Sequence, residues 1–115
     1  MPHEAPFAEV TIAESAARGI VNRTHARRLC EGHFPGEPIV PGAQLAGLMA
    51  ELAAALVAPT AALAALERCV FLARVTPADE IVVSARRVAA MRVRAEVRHR
   101  GTCAARATLR FRTDA

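Results

Sequence analysis

Residues 32–42 read GHFPGEPIVPG, with one histidine, three prolines spaced three apart and three glycines in eleven positions. Histidine is the side chain best suited to take a proton near neutral pH. A general base must be placed closely to be useful, and the prolines stiffen the loop that carries His33. Pro41 and Gly42 then open a long apolar stretch, proline being well tolerated in the first turn of a helix. An unpaired N–H at a helix start, helped by the helix dipole, can hold an oxygen on which negative charge develops. A base beside such an N–H is the pair of groups that enolises a carbonyl compound. The Pro-x-x-Pro-x-x-Pro spacing is also that of a polyproline ligand, but its apolar filler and its place before a core helix argue against that role.

The helix is predicted from Pro41–Gly42 to about Val57, ahead of Pro59. Residues 43–66 are nearly apolar enough and long enough to span a bilayer. Gln44, Glu51 and Pro59 interrupt them and much of the remainder is alanine, so the centre of a soluble core is the expectation. Gln44, Gly47 and Glu51 are spaced i, i+3, i+7 and share one stripe. Helical side chains lean toward the N-terminus, so Glu51 reaches back over the turn that carries Gly47.

Strand-like sequence surrounds this helix. Residues 7–14 and 17–23 read as strands, 24–41 as loop, and 69–75 and 80–88 as further strands around a TPADE turn. Then the period becomes two. Met91, Val93, Ala95 and Val97 alternate with Arg92, Arg94, Glu96 and Arg98. Cys103, Ala105, Ala107, Leu109 and Phe111 repeat the pattern after a tight turn at Arg100–Gly101. Such alternation means an antiparallel sheet with one buried face, and the apolar helix is what lies on it. Periodicity alone supports an α+β class with one helix on one sheet.

Bulk composition narrows the function classes. The 115 residues suit one domain over 1–115, and 53% hydrophobic content is ample for a core built from Ala, Val, Leu and Ile, since only four Phe and no Trp or Tyr occur. All fifteen basic residues are arginine, and the net charge of +4 permits an acidic partner. Nucleic acid is disfavoured, because stacking aromatics and recognition-helix or zinc-finger patterns are missing. Arg18, Arg23, Arg27 and Arg28 precede the motif and suit either an acidic carrier protein or phosphate, or plain solvent. Cys30, Cys69 and Cys103 form no CxxC, which points to a reduced, cytoplasmic compartment and no zinc site. The N-terminus lacks a signal-peptide pattern. His3, His25 and His99 read as incidental, and no metal site is expected.

GHFPGEPIVPG leading into an apolar helix closely resembles the hot-dog 3-hydroxyacyl-acyl-carrier-protein dehydratases of fatty-acid synthesis, whose signature is G-H-F-P-x-x-P-x-x-P-G before a central helix. Gly32, His33, Phe34, Pro35, Pro38, Pro41 and Gly42 fill every defined position. RVTPADEI, residues 74–81, resembles the family's PV-x-PGD-x-L turn, with Ala78 where the family has glycine. The resemblance runs from about residue 20 to the end and is strongest over 31–50. It implies a hot-dog fold, an antiparallel sheet wrapped around the helix, at least dimeric, with sites shared between subunits. It implies that His33 is the base, that the Gly42 N–H holds the thioester oxygen, and that Phe34, Pro41, Gln44 and Gly47 line the substrate. No metal or organic cofactor is implied.

One position departs from the family. Its helix acid lies fourteen residues after the histidine, and that position here is Gly47. The expectation is that Glu51, or Gln44, partly replaces it, one helical turn of ~5.4 Å being about what a Glu side chain can make up. The implied activity is dehydration of a 3-hydroxyacyl thioester on a carrier protein or coenzyme A. The alternatives are a hot-dog thioesterase enlisting Glu51 or Glu31, and a non-catalytic acyl-thioester binder that lost its acid and works with a homologous partner.

Overall fold

The computed structural model describes residues 4–31, 36 and 38–113. In chain order the elements are β1 (Phe7–Ala13), β2 (Ala16–Val21), α1 (Arg23–Leu29), α2 (Gly42–Ala54), β3 (Ala61–Phe71), β4 (Ile81–Ala89), β5 (Arg92–His99) and β6 (Thr102–Thr113). The six strands form one antiparallel sheet in the order β1-β2-β4-β5-β6-β3. α2 lies across strands β2 to β6. This is the hot-dog arrangement of the α+β class.

The alternation predicted for β5 and β6 is what closes the core. Val93, Ala95 and Val97 are buried, as are Ala105, Ala107, Leu109 and Phe111. Leu45, Leu48, Met49 and Leu52 of α2 join them in one cluster. Full burial of each of the Val, Leu, Met and Phe side chains among them is worth about 1.5–3 kcal/mol. The β5–β6 hairpin turns through Arg100 (φ 54°) and Gly101 (φ 77°). Two consecutive left-handed residues match the right-handed strand twist, and glycine adopts the second at no steric cost. Cys103 is only half-buried, because the β5–β6 register slips between Val97 and Arg98. The slip turns Ala104 inward, and its carbonyl accepts the N–H groups of Leu72 (2.7 Å) and Ala73 (3.2 Å).

Three elements differ from the sequence reading. The 24–41 loop contains a helix, α1. Asn22 caps it, its side-chain oxygen accepting the N–H of Thr24 (2.9 Å) and of His25 (3.3 Å). Two turns with Ala26 as the one buried residue are too short to print a period. Second, the strand placed at 69–75 is β3, Ala61–Phe71. Its first half, AALAALE, favours a helix by composition. Pairing with β6 overrides that preference, a common outcome for strands. Third, α2 ends at Ala54, and a tighter i→i−3 turn carries the chain to Val57.

His99 is not incidental to the fold. It is buried, and its Nε2 accepts the Thr76 N–H at 3.3 Å. The ring therefore carries its proton on Nδ1 in this contact. The contact pins residues 74–81 to β5, and Val75 in turn accepts the N–H of Val40, two residues before the helix entry.

Candidate active site

The described end of the motif, residues 38–41, and the start of α2 form the first half of the candidate site. His33 and Phe34 lie outside the described residues. Gly36, inside the motif, has φ +84°, a conformation that glycine adopts without strain. Pro41 is the N-cap of α2, with extended backbone and no side-chain capping bond. Its carbonyl accepts the N–H groups of Gln44 (2.9 Å) and Leu45 (3.1 Å). Among the described residues nothing accepts the N–H of Gly42, so the helix opens with an unpaired donor at its positive end. The Phe71 ring lies over Gly42, and a Cβ there would stand 3.2 Å from it. Pro41, Gly42, Leu45, Phe71 and Leu72 line an apolar cavity of about 350 Å³ at this point.

The second half lies further along α2. The structure brings Gln44, Gly47 and Glu51 to one cavity of about 430 Å³, as their spacing predicts. All three are exposed, whereas Leu45, Leu48 and Leu52 turn into the core. A Cβ built on Gly47 meets nothing within 4 Å, so the space beside this turn of the helix is open. Glu51 has no ion pair or hydrogen bond among the described residues. The opposite wall comes from α1 and the N-terminal segment: His25, Arg28 and Glu4. The Glu4 Oε1 accepts from the Arg28 Nε at 2.6 Å and lies 3.6 Å from the His25 Nδ1. That guanidinium holds the Glu4 carboxyl below the usual carboxylate range.

Sequence reasoning passes over His25 and Glu4. The one local signal is Asn22, whose capping role starts the helix that aims His25. Glu4 is twenty-four residues from Arg28 and carries no signal of its own. The four arginines ahead of the motif do not act as one group, since Arg18 belongs to β2 and Arg28 is engaged by Glu4.

The three cysteines are free thiols, each pushed above its ordinary pKa, chiefly by burial. They are therefore poor nucleophiles. Among the described residues no helix is long and apolar enough to cross a membrane.

Comparison with known proteins follows the same lines. The 3-hydroxyacyl-[acyl-carrier-protein] dehydratase FabZ of Paramagnetospirillum magneticum is 33% identical over 97 residues, covering 72% of this chain and 60% of that protein. FabZ of Dinoroseobacter shibae is 34% identical over 93 residues, covering 69% and 57%. The chain thus spans about 60% of the length of these curated relatives. Among solved structures, the dehydratase heterocomplex ApeI:P from Xenorhabdus doucetiae superposes with a TM-score of 0.79 at 15% identity, over 95% of this chain and 98% of that one. At that identity the likeness concerns the fold. The model of the ApeI-like family, described as ApeI dehydratase, matches residues 10–108, nearly the whole sheet and both helices, and the chain belongs to that family.

Proposed function

We propose that this protein dehydrates a 3-hydroxyacyl thioester, carried on an acyl carrier protein, to the enoyl thioester. The observation that carries the reading is the unpaired N–H of Gly42, the last residue of a complete GHFPGEPIVPG motif and the first of α2. His33 takes the C2 proton. The Gly42 N–H, with the helix dipole behind it, holds the thioester oxygen as charge develops there. Phe34, Pro41 and the apolar cavity beside Phe71 receive the thioester and the start of the acyl chain. The C3 hydroxyl leaves into the open space at Gly47, where Gln44 and Glu51 take over part of the missing acid's work by holding it. Neither a metal nor an organic cofactor enters this scheme. The two curated relatives act on acyl-carrier-protein thioesters by name, which favours a carrier protein as the substrate's source.

One hot-dog unit over residues 1–115 does not complete the site on this reading. β3 is an edge strand of eleven residues, and Leu63, Leu66, Val70 and Phe71 on it are exposed. A long apolar edge left bare invites another chain. We place a second copy there, with the His33 half of one subunit facing the Gly47 half of the other. The ApeI:P neighbour is a heterocomplex, which makes a homologous hot-dog chain the alternative occupant. Three free thiols support a reducing, cytoplasmic setting.

The test is incubation with a 3-hydroxyacyl thioester. Enoyl product supports dehydration. Released free thiol points to a thioesterase, and saturable acyl binding without turnover to a binder. Glu51→Gln refines the scheme. A fall of about 3–10-fold in turnover is expected if Glu51 contributes one hydrogen bond to the leaving hydroxyl. An unchanged rate removes Glu51 from the mechanism.

A further inference from the structure

The cavity at Gly47 has a wall that α2 does not supply. His25 of α1 lines it, together with Glu4 and Arg28. The arrangement is built rather than casual. Asn22 starts α1 and, by accepting its N–H, sets the backbone of His25 itself. The Glu4 carboxylate is anchored to Arg28 and bears on the Nδ1 side of the imidazole. A carboxylate on Nδ1 orients a histidine ring and leaves Nε2 for another partner. The His25 side chain is 23% exposed, enclosed enough to be placed and open enough to exchange protons with water. His25 and Gly47 line the same cavity, and a Cβ built on Gly47 meets nothing within 4 Å. Glu51 shares the cavity, but no partner among the described residues fixes its rotamer. Pre-organisation separates an effective proton donor from a nearby one.

We infer that His25 is the proton donor of the dehydration, supplying from α1 what the family supplies from the helix position held here by Gly47. The inference rests on the dehydratase reading above. In the step, His33 removes the C2 proton and the freed electron pair forms the C2=C3 bond. The C3–O bond breaks, its pair leaving with the hydroxyl oxygen. That oxygen takes a proton from the His25 imidazolium and departs as water. His33 then releases its proton to solvent, and His25 takes one up, which restores both groups. Gln44 and Glu51 hold the hydroxyl while the proton passes. The loss of the helix acid and the presence of a buttressed histidine across the same gap are then two sides of one arrangement, since a Glu side chain at 47 would fill the space His25 works across.

The experiment compares enoyl formation by the wild-type chain, His25→Gln, Gly47→Glu and the double variant, with circular dichroism to follow the fold. His25→Gln is expected to lower kcat by about 10²-fold, the lower range for one general acid, with KM within about threefold. Adding Gly47→Glu, which puts a carboxyl back at the family position, is expected to recover at least about a tenth of the wild-type rate; on the same scale this is a partial return of general-acid catalysis. Turnover by His25→Gln within twofold of wild type overturns the inference and leaves the dehydratase reading standing. A loss that Gly47→Glu does not repair marks His25 as a residue of structure and also overturns it. Absence of enoyl product from the wild-type chain overturns the dehydratase reading, and this inference with it.

Discussion

The ring of Phe71, the last residue of β3, lies across Gly42, the first residue of α2, so close that a side chain there would push the ring aside by a few tenths of an ångström. A Cβ on Gly42 would stand 3.2 Å from two of the ring carbons. The strand therefore roofs the helix start and forms, with it, the apolar cavity around the unpaired N–H.

Gly42→Ala separates the two roles of that contact. Phe71 is 50% exposed, so its ring has room to turn aside. The melting temperature is expected to stay within a few degrees, equivalent to about 1 kcal/mol or less. Enoyl formation is expected to fall at least about tenfold, because the displaced ring and the new methyl crowd the approach to the N–H, and losing one such donor costs ~10²–10³ at the most. Thermal melts and initial rates on the same preparation check both halves.

Gly47 tells the opposite story. A Cβ there touches nothing, and the residue sits exposed in the middle of α2 with no need of a positive φ. Gly47→Ala is therefore expected to stabilise the fold by about 0.5–1 kcal/mol, the ordinary gain of alanine over glycine inside a helix. Urea unfolding midpoints measure it. A loss of stability would mean that the open space is filled in solution.

His99→Ala is expected to destabilise by about 2–3 kcal/mol. The change leaves the Thr76 N–H without its acceptor and opens a void at a buried position, and each effect costs on the order of 1 kcal/mol or more. Because Val75 carries the Val40 N–H, the helix entry is expected to loosen as well. Denaturant titration reads the first effect and amide exchange at Val40 the second.

The Glu4 carboxylate has a signed pH dependence. Its pKa is lowered from 4.5 in the folded chain, first by the hydrogen bond from Arg28. A depressed carboxylate contributes stability that is fully present above its unfolded value and is lost as pH falls through the folded one. The tie between the N-terminal segment and α1 is thus expected to hold at neutral pH and to weaken progressively below about pH 4.5. Glu4→Gln removes the carboxylate charge, and with it the titration, at all pH values. The stability difference between the two proteins, followed from pH 7 to pH 3, is expected to shrink toward the acid end.

Much of the fold was legible because it repeats. The two-residue period of β5 and β6 and the Arg100–Gly101 turn are local patterns, and each has one cheap conformational solution. α1 was not legible, because seven residues with one buried alanine have no period to show. Nor was the first half of β3, where an alanine-rich run takes the strand form only because β6 offers it a ladder. The candidate site divides the same way. Gln44, Gly47 and Glu51 share a face by helical arithmetic alone, while His25 reaches that face from an element the arithmetic does not see.

By itself, then, the sequence determined the motif around His33, the helix that follows it, the sheet that covers that helix and the glycine at position 47, since all of these depend on residues close together in the chain. Only the tertiary structure decided what stands across from that glycine. Glu4, His25 and Arg28 meet the helix stripe at that cavity, the last two carried there by α1, which Asn22 caps. Their contacts are made through space, the Glu4–Arg28 bond across twenty-four residues of chain, and no local pattern records a contact of that kind.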